Sequence, residues 1–319
     1  MLRWVKRVLI GVCGLFIVAV LTGATYQWIA TRNDLSATPA PGRLVDVGGH
    51  RLHIWCSGAG APSVILETGL GGSSVGWGFV QPAVAQFTRV CSYDRAGLGY
   101  SDPGPSPRTA RRMARELAQL LNGSGIDGPV VLVGASIGGF VVRVFASEHT
   151  ERTAGLVLVD ATHEDQEDKI PQLASFVPFL SSVGLLRLLG VSFAQRPDSL
   201  APPVRKFAEA TAFCTAGARA AADEITHIRE SAAEVKATRR KLKIPLIAVM
   251  AGRGINEGWR ALQRDQATLS DRGCLVTAEQ SGHVVAIGQP QVVVDAIRAV
   301  VNAARSRAEV PPCGSTSGE

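Results

Sequence analysis

The segment Val130-Val131-Leu132-Val133-Gly134-Ala135-Ser136-Ile137-Gly138-Gly139 constrains the fold of this chain more than any other. Its apolar run is too short for a buried helix and reads as an interior β-strand. The run leads straight into Gly-x-Ser-x-Gly. An apolar-periodic stretch (Phe140, Val141, Val142, Val144, Phe145) follows and reads as a helix. Strand, Gly-x-Ser-x-Gly and helix together give a five-residue pattern the context of a nucleophile elbow. In so tight a turn the flanking glycines avoid a Cβ clash, and the serine is held strained with its hydroxyl presented. Ser136 also sits at the positive end of the following helix, which favours a developing oxyanion. A Gly-rich turn with an incidental serine is the plainer alternative.

The rest of the chain adds ordered motifs. Val64-Ile65-Leu66-Glu67-Thr68-Gly69-Leu70-Gly71-Gly72 is a strand leading into a loop. Arg89 to Tyr93 is a strand followed by Asp94-Arg95-Ala96-Gly97. Leu156-Val157-Leu158-Val159-Asp160 and Ile244 to Met250 are further strands, and Gln280-Ser281-Gly282-His283 follows the last one. In this order, from about Leu44 to Ala304, the chain resembles the α/β-hydrolase family. The resemblance implies an α/β class fold: a mostly parallel eight-stranded sheet flanked by helices, with a helical lid inserted after the sixth strand. The βαβ rhythm through Asp160 agrees with a parallel sheet. From 161 to 242 that rhythm breaks at Pro171, Pro178, Pro197, Pro202 and Pro203.

The expected organisation is 1–30 as a membrane anchor or signal peptide, 31–43 as a linker, 44–160 with 243–305 as the core, 161–242 as the lid and 306–319 as a disordered tail. Hydrophobic content of 46% and charged content of 19% in 319 residues suit a large core. The net charge of +6 is scattered along the chain, and no aromatic-interleaved basic patch points to nucleic acid. Arg3, Lys6 and Arg7 precede an uncharged segment, Val8 to Ala30, long enough to cross a bilayer core of roughly 20 residues. Thr22-Gly23-Ala24 offers a small-residue cleavage site, whereas Tyr26 and Trp28 resemble an interfacial aromatic belt. An uncleaved anchor is preferred to a cleaved signal. Either places the catalytic domain outside the cytoplasm, membrane-anchored or secreted. The lid stretches Phe176 to Leu180 and Leu185 to Leu189 are unusually apolar. They suit core-facing helices, or a surface for an acyl chain or membrane.

Ser136 needs a base within hydrogen-bond reach. Of six histidines, His283 occupies the place of the family's catalytic histidine, and chain order agrees. For the acid, the loop after the seventh strand holds only Glu257, while Asp265 falls inside a predicted helix. Asp160, at the carboxyl end of the sixth strand, matches the family's alternative position and is preferred, with Glu257 as runner-up. The resemblance places the oxyanion hole at the N–H groups of Ile137 and Leu70, with Thr68 where a histidine is usual. It places Trp77 at the substrate pocket, where core packing would serve equally. Asp94-Arg95 reads as a structural brace.

Six cysteines are present, Cys13 within the anchor. In the resembled fold Cys56 and Cys91 lie on neighbouring strands and could bridge. Cys214 and Cys274 form a second candidate pair, and buried free thiols are the alternative. No spacing suggests a metal, and no cofactor is implied. The expected activity is a carboxylesterase-like serine hydrolase acting on a small-molecule ester or lipid-like substrate through an acyl-enzyme. C–C bond hydrolysis, a cofactor-free haloperoxidase-like activity and a ligand-binding or receptor protein on the same scaffold are the alternatives. A serine at the elbow argues against epoxide hydrolysis and dehalogenation, whose enzymes use a carboxylate there.

Overall fold

The computed structural model describes residues 2–166, 172–192 and 199–306. Parts of the expected lid (167–171 and 193–198, with Pro171 and Pro197) and nearly all of the expected tail (307–319) lie outside them.

After a long helix α1 (Leu2–Ala37), eight strands follow: β1 (Arg43–Asp46), β2 (Arg51–Ser57), β3 (Ser63–Glu67), β4 (Val90–Tyr93), β5 (Val130–Ala135), β6 (Thr153–Val159), β7 (Leu246–Ala251) and β8 (Gly273–Ala278). They form one sheet in the order β1-β2-β4-β3-β5-β6-β7-β8. Pairs β1–β2 and β2–β4 are antiparallel. The five remaining pairs are parallel. The β1–β2 hairpin turns through Gly48 and Gly49, both at positive φ (90° and 106°) that side chains with a Cβ resist.

The central strands are continuous apolar runs because both faces of the sheet are covered. In β5, Val130 and Leu132 join one core, and Val131 and Val133 the other. The first core is roofed by α3 (Ala110–Gly123) and α4 (Gly138–Glu148). The second is roofed by a short α2 (Gln81–Val84) and, at the far end of the chain, by α11 (Val285–Gly288) and α12 (Pro290–Ser306). Between β6 and β7 the chain leaves the sheet for a helical insertion: α5 (Val177–Ser182), α6 (Leu185–Leu188), α7 (Pro202–Thr211), α8 (Thr215–Thr226) and α9 (Ile228–Thr238). Helix α10 (Glu257–Ala267) then joins β7 to β8.

Two expectations need correction. The segment expected as a linker is helical through Ala37, ending just before Pro39, whose ring disfavours helical geometry in the preceding residue. Tertiary contacts stabilise these last turns. Gln27 is buried and donates to the Phe213 carbonyl (2.6 Å). Arg187 donates to Gln27 (3.0 Å), Thr31 (3.2 Å) and Asp34 (2.6 Å). The second candidate disulfide does not form. Cys214 is a free thiol that burial pushes up to about 11, and Cys274 is disulfide-bonded elsewhere. Cys274 lies in β8, against β7, while Cys214 precedes α8 in the insertion. Cys56 and Cys91 do bridge: register sets them directly opposite across β2 and β4, with Cα atoms 4.0 Å apart.

Candidate active site

The site stands at the carboxyl ends of the parallel strands, where open α/β sheets present their ligand sites. Ser136 follows β5 with φ of 50°, a left-handed conformation that is strained for a residue with a Cβ. The neighbouring glycines have specific reasons to lack a side chain. A Cβ on Gly134 would meet Val142 at 2.5 Å, and one on Gly138 would meet the Thr68 carbonyl at 2.4 Å. Close approach at Gly138 brings the loop after β3 against the elbow. Gly69 sits so near that a Cβ there would lie 3.2 Å from Ser136 Cβ. Two backbone bonds hold the turn. Ser136 N–H donates to the Val159 carbonyl (3.1 Å), and Thr162 N–H to the Ser136 carbonyl (3.0 Å).

His283 Nε2 lies 3.0 Å from Ser136 Oγ, and its Nδ1 lies 2.6 Å from Asp160 Oδ2. Asp160 follows β6, is buried and also has positive φ (40°). Its other oxygen, Oδ1, accepts from Ala251 N–H (3.0 Å) and from the Trp259 indole N–H (2.9 Å). A buried carboxylate needs such donors, because an ionised group removed from water without partners is costly. The three residues come from three separate strand ends and meet only in the folded chain.

Glu257 lies elsewhere. It is exposed at the start of α10 and pairs with Arg264 (2.7 Å). Asp265, inside α10 as expected, faces His163 (2.8 Å) and Arg239 (2.7 Å).

A cavity of about 320 Å³ opens beside Ser136 and His283, lined by Leu70, Val75, Trp77, Val285 and Ala286 among others. That volume and its apolar walls suit a small organic ligand. Trp77 is both buried in the core and part of this wall. Ile137 is the N-cap of α4, so its amide falls outside the helix's own ladder. Leu70 lines the cavity on the facing loop. Among the described residues, no cluster of His, Cys, Asp or Glu could hold a metal ion.

One contributor escaped the sequence reading, and a second was read only in outline. Trp259 holds Asp160, and its ring meets the His283 ring edge-on at 6.3 Å between centroids. Asn256, which caps α10 by accepting from the Trp259 N–H, marks the helix start but not the carboxylate that the indole reaches. Arg95 was read as a brace, without its partners. It donates to the carbonyls of Thr68 (2.7 Å) and Gly69 (2.9 Å), fixing the loop that carries Leu70. The buried guanidinium is itself gripped by Glu224 of α8 through two bonds of 2.8 Å, and by Glu67. Burial pushes the Glu67 carboxyl above its ordinary range, against the pull of Arg95 and Tyr93. Charge-assisted bonds of this kind are strong and geometrically demanding.

An α/β sheet with this strand order, an elbow serine after β5 and a histidine after β8 define a class. Residues 62–183 match the model of the alpha/beta hydrolase fold. The chain has the α/β-hydrolase fold. It is 26% identical over 281 residues to an AB hydrolase superfamily protein of Gibberella zeae, covering 76% of this chain and 87% of that one. It is 37% identical over 136 residues to a probable transporter, efuK, of Hormonema carpetanum. That match covers 40% of this chain and only 20% of the relative. Among solved structures it resembles a thermophilic esterase from Thermogutta terrifontis, with TM-score 0.63 and 23% identity over 83% of this chain and 99% of that one.

Proposed function

We propose that this protein is a serine hydrolase that cleaves a carboxylic ester, or a related acyl bond, through an acyl-enzyme. The observation that carries this reading is the continuous hydrogen-bonded chain Ser136 Oγ–His283 Nε2, His283 Nδ1–Asp160 Oδ2, at the wall of an apolar cavity.

In the proposed reaction Ser136 Oγ bonds to the carbonyl carbon while its proton passes to His283 Nε2. Asp160 holds the imidazole tautomer and stabilises the imidazolium. The amides of Ile137 and Leu70 donate to the oxyanion. As the tetrahedral intermediate collapses, the carbon–oxygen bond to the alcohol breaks and His283 returns the proton to the leaving oxygen. Water then adds to the acyl carbon, giving its proton to His283. The acid departs as the Ser136–acyl bond breaks and Oγ regains a proton. Trp77 and the cavity walls receive the acyl or alcohol group, and the helices between β6 and β7 act as a lid.

The same reading makes α1 an uncleaved membrane anchor with the catalytic domain on the extracytoplasmic side. Its apolar window has a mean hydropathy of 2.4 and no buried residue, which favours lipid as its surrounding. Arg3, Lys6 and Arg7 at its start favour a cytoplasmic N-terminus. Burial of Gln27 against the insertion supports retention of the helix beyond the small-residue site at Thr22-Gly23-Ala24.

The test is a serine-directed fluorophosphonate probe together with a panel of p-nitrophenyl esters, amides and lactones. The full chain should label at Ser136 and turn over esters. Ser136→Ala should lose labelling and about 10³-fold or more of kcat. A folded protein that neither labels nor hydrolyses any of the panel would sink the reading and favour a binding protein on this scaffold.

A further inference from the structure

Outside α1, eight large apolar side chains are exposed among the described residues, and six of them fall between positions 176 and 191: Phe176, Phe179, Leu185, Leu188, Leu189 and Val191. Leu188 and Leu189 are the extreme cases, at 78% and 64% exposure. Isolated apolar side chains on a surface need no explanation, but a concentration in one helical hairpin does.

We propose that this α5–α6 face is a bilayer-contact surface, held at the membrane by its own clamp on α1. The proposal rests on reading α1 as an anchor and Ser136 as the nucleophile of an esterase. The turn between α5 and α6 meets α1 backbone to backbone. A Cβ on Gly23 would fall 2.4 Å from the Val183 carbonyl oxygen, and one on Gly184 would fall 3.2 Å from the Gly23 carbonyl oxygen. Arg187, one turn further along, donates to Gln27, Thr31 and Asp34 of α1. These contacts are too close and too numerous for a free tether. They fix where the hairpin sits along the anchor.

That position coincides with the bilayer boundary. At 1.5 Å per residue, the uncharged stretch from Val8 to Gln27 is about 30 Å long, the thickness of a hydrocarbon core, and Gly23 lies about one helical turn before its end. Tyr26 and Trp28 flank that end, residues suited to the headgroup region. The hairpin, which touches α1 at Gly23 and clamps Gln27, Thr31 and Asp34, therefore straddles the interface, and its exposed leucines and phenylalanines adjoin the lipid-facing surface of α1. A bilayer is the occupant that covers both at once.

The same arrangement names a substrate class. A narrow crevice of about 30 Å³, lined by Leu186, Val191 and Phe213 together with small and polar residues such as Ser181 and Thr211, shares Ser73 as a wall with the catalytic cavity. An acyl ester dissolved in the bilayer would reach Ser136 along that side without crossing water.

The test uses the full chain in phosphatidylcholine vesicles, with Cys13→Ser and Cys214→Ser removing the free thiols. A fluorescent label is placed at Leu15→Cys, Leu188→Cys or Glu151→Cys. Glu151 lies just before β6, at the amino-terminal end of the strand, while the site stands at the carboxyl ends. Doxyl lipids should quench the labels at 15 and 188 and leave 151 unaffected. Quenching at 15 with 188 as unaffected as 151 would overturn the contact surface while the anchor stands. No quenching at 15 would remove the anchor and the proposal with it. A label at 188 shielded from aqueous iodide yet unquenched by lipid would assign the face to a protein partner and overturn the proposal.

In a second arm, Leu188→Asp with Leu189→Asp should lose about tenfold or more in turnover of a long-chain ester dissolved in the vesicles. Turnover of a water-soluble acetyl ester should be unchanged. Equal change on both esters, or none on either, would overturn the access route. An unmodified protein inactive on both esters would instead sink the esterase reading, leaving the quenching result to stand alone.

Discussion

Asp160 illustrates how one residue acquires a role from its position. It ends β6 with positive φ, which costs on the order of 1–3 kcal/mol for a residue with a Cβ. The compensation is a carboxylate with both oxygens engaged: His283 on one, Ala251 N–H and the Trp259 indole on the other. Asp160→Asn should lower kcat by about 10³–10⁴-fold, because the amide no longer favours the required imidazole tautomer. Glu257→Gln should change kcat by about twofold at most, since it removes only an exposed ion pair. Steady-state kinetics on one good ester decides between the two carboxylates, and the reverse pattern would move the acid to Glu257. The choice was legible as a preference from the strand-end position of Asp160. Trp259 was not, because nothing local to an indole near a helix start says which carboxylate it reaches.

Elements assemble the site through strand order. Placing β5 between β3 and β6 sets the Thr68–Leu70 loop on one flank of Ser136 and Asp160 on the other. The short continuous apolar runs of the central strands were readable from the sequence because composition and length survive without knowledge of partners. Pairing across the sheet edge was less so. The Cys56–Cys91 bridge depends on a register that puts the two residues directly opposite. Its separation of 35 residues closes a long loop in the unfolded chain. Replacing both cysteines by alanine should therefore cost about 2–4 kcal/mol, measured by urea unfolding of the double variant beside the parent. An unchanged midpoint would show that the hairpin edge contributes little to global stability.

At the scale of the whole molecule, the insertion joins everything else. Glu224 of α8 holds Arg95 beneath the loop carrying Leu70, and Arg187 holds α1. Glu164, just after Asp160, pairs with Arg143 of α4 and with Arg239 at the end of α9. Burial alone would raise the Glu164 carboxyl, but Arg143 and Arg239 bring it well below the ordinary range. A depressed folded value stabilises the protein above the unfolded carboxyl range, near pH 4.5, and that stability is lost as pH falls toward the folded value. Thermal unfolding followed from pH 6 to pH 3 should show a fall in Tm starting near pH 4.5. In Glu164→Gln the parent's fall should be shallower and its neutral-pH Tm lower. An identical acid slope in the variant would mean that other carboxylates set it.

The sequence by itself determined the αβ rhythm, the elbow at Ser136, the histidine loop at His283 and the apolar N-terminal segment. Each is written in a contiguous stretch whose periodicity, glycine placement or length has a local physical cause. Only the tertiary structure decided that α1 continues through Ala37, that Cys274 does not pair with Cys214, and that Arg95 and Trp259 hold the two sides of the site. Those outcomes depend on side chains separated by tens to hundreds of residues in the chain. Burial makes their hydrogen bonds and charges matter, and which groups are buried together follows only from the packed fold.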